Sequence, residues 1–183
     1  MQNGKEKNNS LRKKIYDLLS EKKDKVEAGK IIFEKIISCP QYINAKKVLC
    51  YFSSENEVDT KKIIEDAIER KKQVGLPVTS DTIKFLSVDK NTVFKTGKFG
   101  IKEPIFGDEI SGVDLIIVPM VAFDKKCNRL GHGKGYYDRF LEKEKSFKLG
   151  LAFCEQEGEF ITFPHDIPMD MIITDKDIFY KEQ

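Results

Sequence analysis

The residues best suited to chemistry sit together in Asn128-Arg129-Leu130-Gly131-His132-Gly133-Lys134-Gly135-Tyr136-Tyr137-Asp138. Glycines at alternate positions 131, 133 and 135 free the backbone from Cβ, so successive N–H groups can converge on an anion. Lys134 and Arg129 bring positive charge to the same place, and a helix beginning just after the loop would add its N-terminal dipole. Such a loop is either a phosphate cradle or a flexible surface connection. Glycine content alone favours the connection; the charged residues around the glycines favour the cradle. Two familiar templates fail. A Walker loop needs Ser or Thr after its Lys, but Gly135 follows Lys134, and Asn128 stands where its first Gly belongs. The dinucleotide fingerprint needs GxGxxG, and the spacing here is GxGxG.

Further carboxylates could serve the same loop. Asp138, three residues after the last glycine, suits either an N-cap or a magnesium ion shared with phosphate oxygens. Asp170, in Asp166-Ile167-Pro168-Met169-Asp170, is a second metal candidate or a turn former. Glu57 follows an apolar run, where a carboxylate can accept from an N–H-rich ring such as a pterin or purine, or favour a helix start. Tyr136 and Tyr137 can stack on a ring or pack inside. His132 and His165 have no partner at metal-ligand spacing. The four cysteines, at 39, 50, 127 and 154, show no CxxC pair. This spacing predicts neither a disulfide framework nor a zinc site, and the reducing cytoplasm is the expected compartment.

An alternation of strands and helices must position these groups. Val48–Phe52, Val74–Val78, Leu115–Val118, Leu149–Phe153 and Met171–Thr174 read as strands, and Ile83–Val88 as a half-exposed one. Leu115-Ile116-Ile117-Val118 is apolar on both faces, as a central parallel strand should be. Leu11, Ile15, Leu18 and Leu19 predict a first helix with Ser10 as its N-cap, and Val26 to Ile37 a second, ending before Pro40. Asp59-Thr60 could cap a helix carrying Ile63, Ile64, Ala67 and Ile68, and another helix should run from Tyr137 to Lys143. Residues 89–112 are expected to be mostly irregular. The pattern predicts an α/β fold: three layers, a mostly parallel central sheet flanked by helices, and two N-terminal helices. Residues 1–183 are read as one domain. In such a sheet ligands bind beyond the carboxyl ends of the strands, where the glycine loop lies.

Composition narrows the classes. Hydrophobic residues at 40% with 13 Phe exclude a chain disordered throughout. The longest apolar run, Leu115 to Phe123, is far short of a membrane span. The polar start MQNGKEKNN is no secretory signal. A net charge of +2 is too small to argue for nucleic acid. Residues 1–30 do hold nine Lys or Arg against five Asp or Glu, either a solvated helix face or an arm that meets an anion. On the residues alone, two other readings stay open: a phosphate-binding isomerase that needs no ATP, and a nucleic-acid module on the basic helices.

From Val118 to Asp138 the sequence resembles the 5-formyltetrahydrofolate cyclo-ligase family, also called methenyltetrahydrofolate synthetase. The carriers are Val118-Pro119, Ala122-Phe123-Asp124 and Arg129 through Asp138. Further matches are Ser10-Leu11-Arg12, Tyr51-Phe52-Ser53, Glu57 to Thr60, Pro77, Phe85, Gly100-Ile101-Lys102-Glu103-Pro104 and Pro168-Met169-Asp170, so the likeness covers nearly the whole chain. It implies ATP- and Mg²⁺-dependent closure of the 5-formyl group onto N10, giving 5,10-methenyltetrahydrofolate, ADP and phosphate. It implies Lys134 and Arg129 as catalytic residues. ATP would be held by Arg12, Arg129, Leu130, Gly131, His132, Gly133, Lys134, Gly135, Tyr136 and Tyr137. The folate would be bordered by Phe52, Glu57, His132, Gly133, Lys134, Gly135 and Tyr136, with Glu57 facing the pterin. Asp138 and Asp170 would match the magnesium carboxylates. The expected partners are ATP and 5-formyltetrahydrofolate, with or without a polyglutamate tail, and neither nucleic acid nor membrane; the expected protein is a cytoplasmic monomer. The family usually has a Lys two residues before the position of Ser10; here it is Asn8, with Lys5 and Lys7 nearby.

Overall fold

Four strand residues set the architecture. In the sequence Leu115-Ile116-Ile117-Val118, alternate side chains enter opposite cores, and all four are fully buried, so helices or loops must cover both faces. The computed structural model of the chain describes residues 2–97 and 100–182; residues 98 and 99, within the stretch expected to be irregular, lie outside the described residues.

The chain begins with helices α1 (Gln2–Glu21), α2 (Lys25–Ser38) and α3 (Pro40–Asn44). It continues through β1 (Lys47–Leu49), α4 (Lys61–Glu69), β2 (Gln73–Thr79), β3 (Ile83–Val88), β4 (Phe94–Thr96) and β5 (Lys102–Pro104). Then come β6 (Leu115–Val118), β7 (Ala122–Phe123), β8 (Arg129–Leu130), α5 (Tyr136–Leu141), β9 (Phe147–Leu151), β10 (Met171–Ile173) and β11 (Ile178–Tyr180). The seven-stranded sheet has the order β11-β10-β9-β6-β1-β2-β3. The run from β10 to β2 is parallel, and β11 and β3 close its two edges antiparallel.

On one face, Ile15 and Leu19 of α1, Ile32 and Ile36 of α2, Tyr42 of α3 and Ile63 and Ala67 of α4 pack on Val48, Leu115, Ile117, Leu149 and Met171. On the other, Leu141 of α5 joins Met120, Phe123, Cys127 and Met169 over Leu49, Ile116, Val118 and Ile172. Helices thus flank a mostly parallel sheet, as expected. The chain leaves β1 through α4 towards β2, and leaves β6 through α5 in the opposite direction towards β9. Between β1 and β6 the winding therefore reverses, and a crevice opens beyond their carboxyl ends.

Several local expectations are corrected. Ser10 is not an N-cap: α1 starts at Gln2 and Ser10 lies exposed within it. The first two turns are polar, so no apolar period marks them; tertiary bonds hold them instead. Pro40 does end α2, but it also starts α3, because its missing N–H costs nothing at a first helical position. Residues 89–112 contain the hairpin of β4 and β5, whose three-residue strands are too short to show alternation. The strand read at Val48–Phe52 pairs only over Lys47–Leu49, and that read at Leu149–Phe153 runs from Phe147 to Leu151.

Candidate active site

The crevice is a pocket of about 1090 Å³. Its walls include α1, the loops after β1 and β6, the glycine loop after β8 with the start of α5, residues 163–166, and a far wall drawn from β2, β3 and the segment 101–103. Lys5, Asn9, Arg12 and Tyr16 recur at helical spacing, so one stripe of α1 faces in.

The glycine loop is tied down from three sides. Gly133 and Gly135 have φ of +90° and +66°, a region that costs other residues about 1–2 kcal/mol each. Arg12 Nε donates to the Gly131 carbonyl at 2.8 Å, and Arg12 Nη1 to Asn9 Oδ1 at 2.7 Å. Burial lowers the Arg12 pKa against the opposing fields of Tyr16 and Asp166. Arg139 Nη1 donates to the Lys134 carbonyl at 3.2 Å, and its guanidinium lies over the Tyr136 ring. Lys134 itself is exposed on the pocket wall. α5 is only six residues long, so the dipole expected behind the loop is small.

Arg129 is buried at 5%, and its Nη2 donates to Asp138 Oδ1 at 2.7 Å while Nη1 reaches the Pro119 carbonyl at 3.3 Å. Asp138 is therefore not an N-cap; Gly135 holds that position, and the carboxylate answers Arg129. Arg129 Nε and the Tyr137 hydroxyl are buried without a hydrogen bond among the described residues. Burial, reinforced by the field of Glu57, pushes the Tyr137 phenol well above its ordinary range. Groups of that kind await a partner.

His132 joins three walls. Its Nδ1 lies 2.7 Å from the Tyr16 hydroxyl and its Nε2 3.2 Å from Glu57 Oε1. Glu57 Oε2 accepts from the Ser54 amide at 2.7 Å and the Ser54 hydroxyl at 2.8 Å. Burial pushes the Glu57 carboxyl up, but the bonds from His132 and Ser54 outweigh it and hold the group below the ordinary range. Burial and the Glu57 charge raise the Tyr16 phenol, and Arg12 opposes them. A carboxylate only accepts, so Nε2 donates to it, and in the neutral imidazole Nδ1 must accept from Tyr16.

Of the residues singled out in the sequence, Arg12, Phe52, Glu57, Asp138 and all of Arg129 to Tyr137 line this pocket. Phe52 also packs against Phe94 of β4, ring centroids 5.8 Å apart. Asp170 does not line the pocket. It precedes β10 and its Oδ2 accepts the Lys148 amide of β9 at 2.7 Å. The expected pairing of Asp138 with Asp170 around one metal is thus not assembled, because Asp170 is fixed at the amino end of its strand. Asp138 alone fits a magnesium ion arriving on phosphates: its two hydrogen bonds use Oδ1 only.

The position of the expected N-terminal lysine has another use. Asn8 is buried at 3%; its Nδ2 donates to the Ile161 carbonyl at 2.8 Å and its Oδ1 accepts the Ile161 amide at 2.9 Å. Lys5 faces the pocket, whereas Lys7 lines a separate concavity with Asn3, Gly4, Ile161 and Phe163. Sequence reasoning missed Asn9, which lies in the polar half of α1 not read as helix, and Tyr16, which lies in the half that was read but on its polar stripe.

Comparison with known proteins agrees with this geometry. The family model described as "5-formyltetrahydrofolate cyclo-ligase family" matches residues 4–175. The 5-formyltetrahydrofolate cyclo-ligase of Haemophilus influenzae is 35% identical over 155 residues, covering 78% of this chain and 83% of that protein. The mouse enzyme of the same name is 29% identical over 182 residues, 89% of each chain. The NMR structure of Aquifex aeolicus 5,10-methenyltetrahydrofolate synthetase superposes with a TM-score of 0.85 at 31% identity, covering 96% of this chain and 93% of that one.

Proposed function

The chain belongs to the 5-formyltetrahydrofolate cyclo-ligase family, and from that premise we propose that it converts 5-formyltetrahydrofolate to 5,10-methenyltetrahydrofolate at the expense of Mg-ATP, releasing ADP and phosphate. The observation that carries the reading is the pocket at the switch point. At about 1090 Å³ it stands at the top of the range usual for ligand sites and has room for two substrates side by side.

A formyl group on nitrogen is a poor electrophile. Its oxygen attacks the γ-phosphorus of ATP, and the bond to ADP breaks. N10 then adds to the activated carbon and gives up its proton, and the C–O bond breaks to release phosphate. No protein nucleophile is required. The side chains' task is alignment and neutralisation of charge that builds on the phosphoryl oxygens. Lys134, Arg12, Arg129 and Lys5 supply positive charge around the glycine loop, and the orphaned Arg129 Nε and Tyr137 hydroxyl supply two further donors. Phe52 and Glu57 border the folate across the crevice. Asp138 would hold magnesium, which when bound neutralises phosphate charge. Asp170 has no part in this scheme.

The test mixes the protein with Mg-ATP and 5-formyltetrahydrofolate and follows the near-ultraviolet absorbance of the methenyl product. Product should form only with ATP present, and with stoichiometric ADP. Lys134→Ala should cut turnover about 10²–10³-fold with the fold intact, the effect of removing one preorganised charge-stabilising group. Product without ATP, or full activity in that variant, would refute the reading.

A further inference from the structure

The segment Gly100-Ile101-Lys102-Glu103-Pro104 has no part in the reaction as described, yet it builds the far wall of the pocket. Glu103 lies on β5, lines the pocket and is only 5% exposed. Its Oε1 accepts the Thr79 amide at 3.0 Å. An ionised carboxylate offers about four acceptor positions, so one backbone N–H leaves most of them open. No Lys, Arg or His pairs with it among the described residues. Pro77, Thr79, Ile83 and Ile101 line the same wall, which is mostly apolar, and the Tyr136 hydroxyl reaches the Ser80 carbonyl beside it at 3.4 Å. A buried, under-satisfied charge in such a wall is costly unless a ligand brings donors to it.

The hairpin is also shaped around this group. A Cβ on Gly97 would collide with the Glu103 carboxylate, so the backbone passes close enough to hold it in place. Glu57 is in a different condition: both of its oxygens already accept, from His132 and Ser54.

We propose that Glu103 selects the substrate ring, its carboxylate receiving the paired N–H donors of the 2-amino and N3 edge of the pteridine. The proposal rests on the folate reading above and assigns that edge to Glu103 instead of Glu57. Two parallel N–H donors match two carboxylate oxygens, the geometry that makes charge-assisted pairs strong and directional. It also orients the substrates: ring edge at β5, phosphates at the glycine loop, and the formyl group between them.

Binding of 5-formyltetrahydrofolate and, separately, of Mg-ATP is measured by calorimetry on the full chain. Glu103→Gln keeps the shape and can still accept the Thr79 amide through its amide oxygen, so a purely structural role predicts unchanged affinity. The proposal predicts a 10- to 100-fold weaker folate, the usual effect of removing the charge from a hydrogen-bonded pair, with Mg-ATP binding unaltered. It also predicts that wild-type protein binds a 2-desamino analogue at least 10-fold more weakly than the parent, and that Glu103→Gln narrows that gap. The wild-type comparison needs no variant, so a poorly folding Glu103→Gln does not blunt the test. Equal folate affinity in wild type and variant, or equal binding of both ligands by wild type, overturns the role of Glu103 alone. Failure of wild type to bind any folate overturns the functional reading as well, and the two results are distinct.

Discussion

Breaking the Arg129–Asp138 pair separates the structural from the chemical use of these residues. The pair is 2.7 Å long with side chains 3% and 16% exposed. Removing one partner of a buried pair costs about 3–5 kcal/mol, because the other charge is left desolvated. Asp138 keeps some contact with water, so Arg129→Met belongs at the lower end, about 3 kcal/mol. Among the described residues, the hydrogen bond then left to Asp138 is that from the Ile167 amide at 3.4 Å. For a chain of this size each kcal/mol moves Tm by about 2–4 °C, so Tm should fall about 6–12 °C. Asp138→Asn should cost about 2 kcal/mol, since the guanidinium keeps the Pro119 carbonyl and the face of Tyr137. The double variant removes both charges, and its loss should be smaller than the sum by at least about 2 kcal/mol. Urea unfolding of the four proteins, with equal slopes as the control, gives the cycle. Losses that add within about 0.5 kcal/mol would mean that the two groups do not depend on each other, and the reasoning from burial would fail.

Two other outcomes follow from the His132 bridge. In alkaline buffer, where imidazole is neutral, ¹⁵N shifts of His132 should show Nε2 protonated and Nδ1 bare; the chain has two histidines, which simplifies assignment. Tyr16→Phe should mix the tautomers and cost about 1 kcal/mol, and a wild-type spectrum with Nδ1 protonated would contradict the assigned bonds. Glu57 titrates below its ordinary value of 4.5 in the folded protein, so its stabilisation is present above that value and is lost as pH falls below it. Glu57→Gln should therefore flatten the decline of stability between about pH 4.5 and the acid limb, measured by unfolding at a series of pH values; an unchanged slope would show that the carboxylate is not held there.

The strands were legible where burial on both faces left an unbroken apolar run, as at Leu115–Val118; α2 was legible from the apolar residues between Val26 and Ile37, although the stripe that is buried is Ala28, Ile32 and Ile36 and Val26 is exposed. The glycine loop was legible because its chemistry is contiguous. What stayed hidden depends on contacts between distant segments. The start of α1 carries no apolar stripe and is fixed by Asn8 on Ile161, a pairing 153 residues apart. Tyr16, His132 and Glu57 meet only after the sheet has brought α1 and two loops together. Asp170 shows the converse: an aspartate beside Pro168 and Met169 fits a metal pattern in one dimension, but strand direction sets it at the amino end of β10, bound to the Lys148 amide. Glu103 was visible only as a letter in a motif, since neither its burial nor its single donor can be read from neighbours in the chain.

The clasp between Asn8 and Ile161 bears on how the protein is born. A ribosome delivers α1 long before the amide that secures it, which lies 153 residues further along the chain. Until then the polar first half of α1 lacks its clasp, while Arg12 on Gly131 and Tyr16 on His132 can already hold the second half. The crevice is thus fully walled only once the segment that carries Ile161 has left the ribosome.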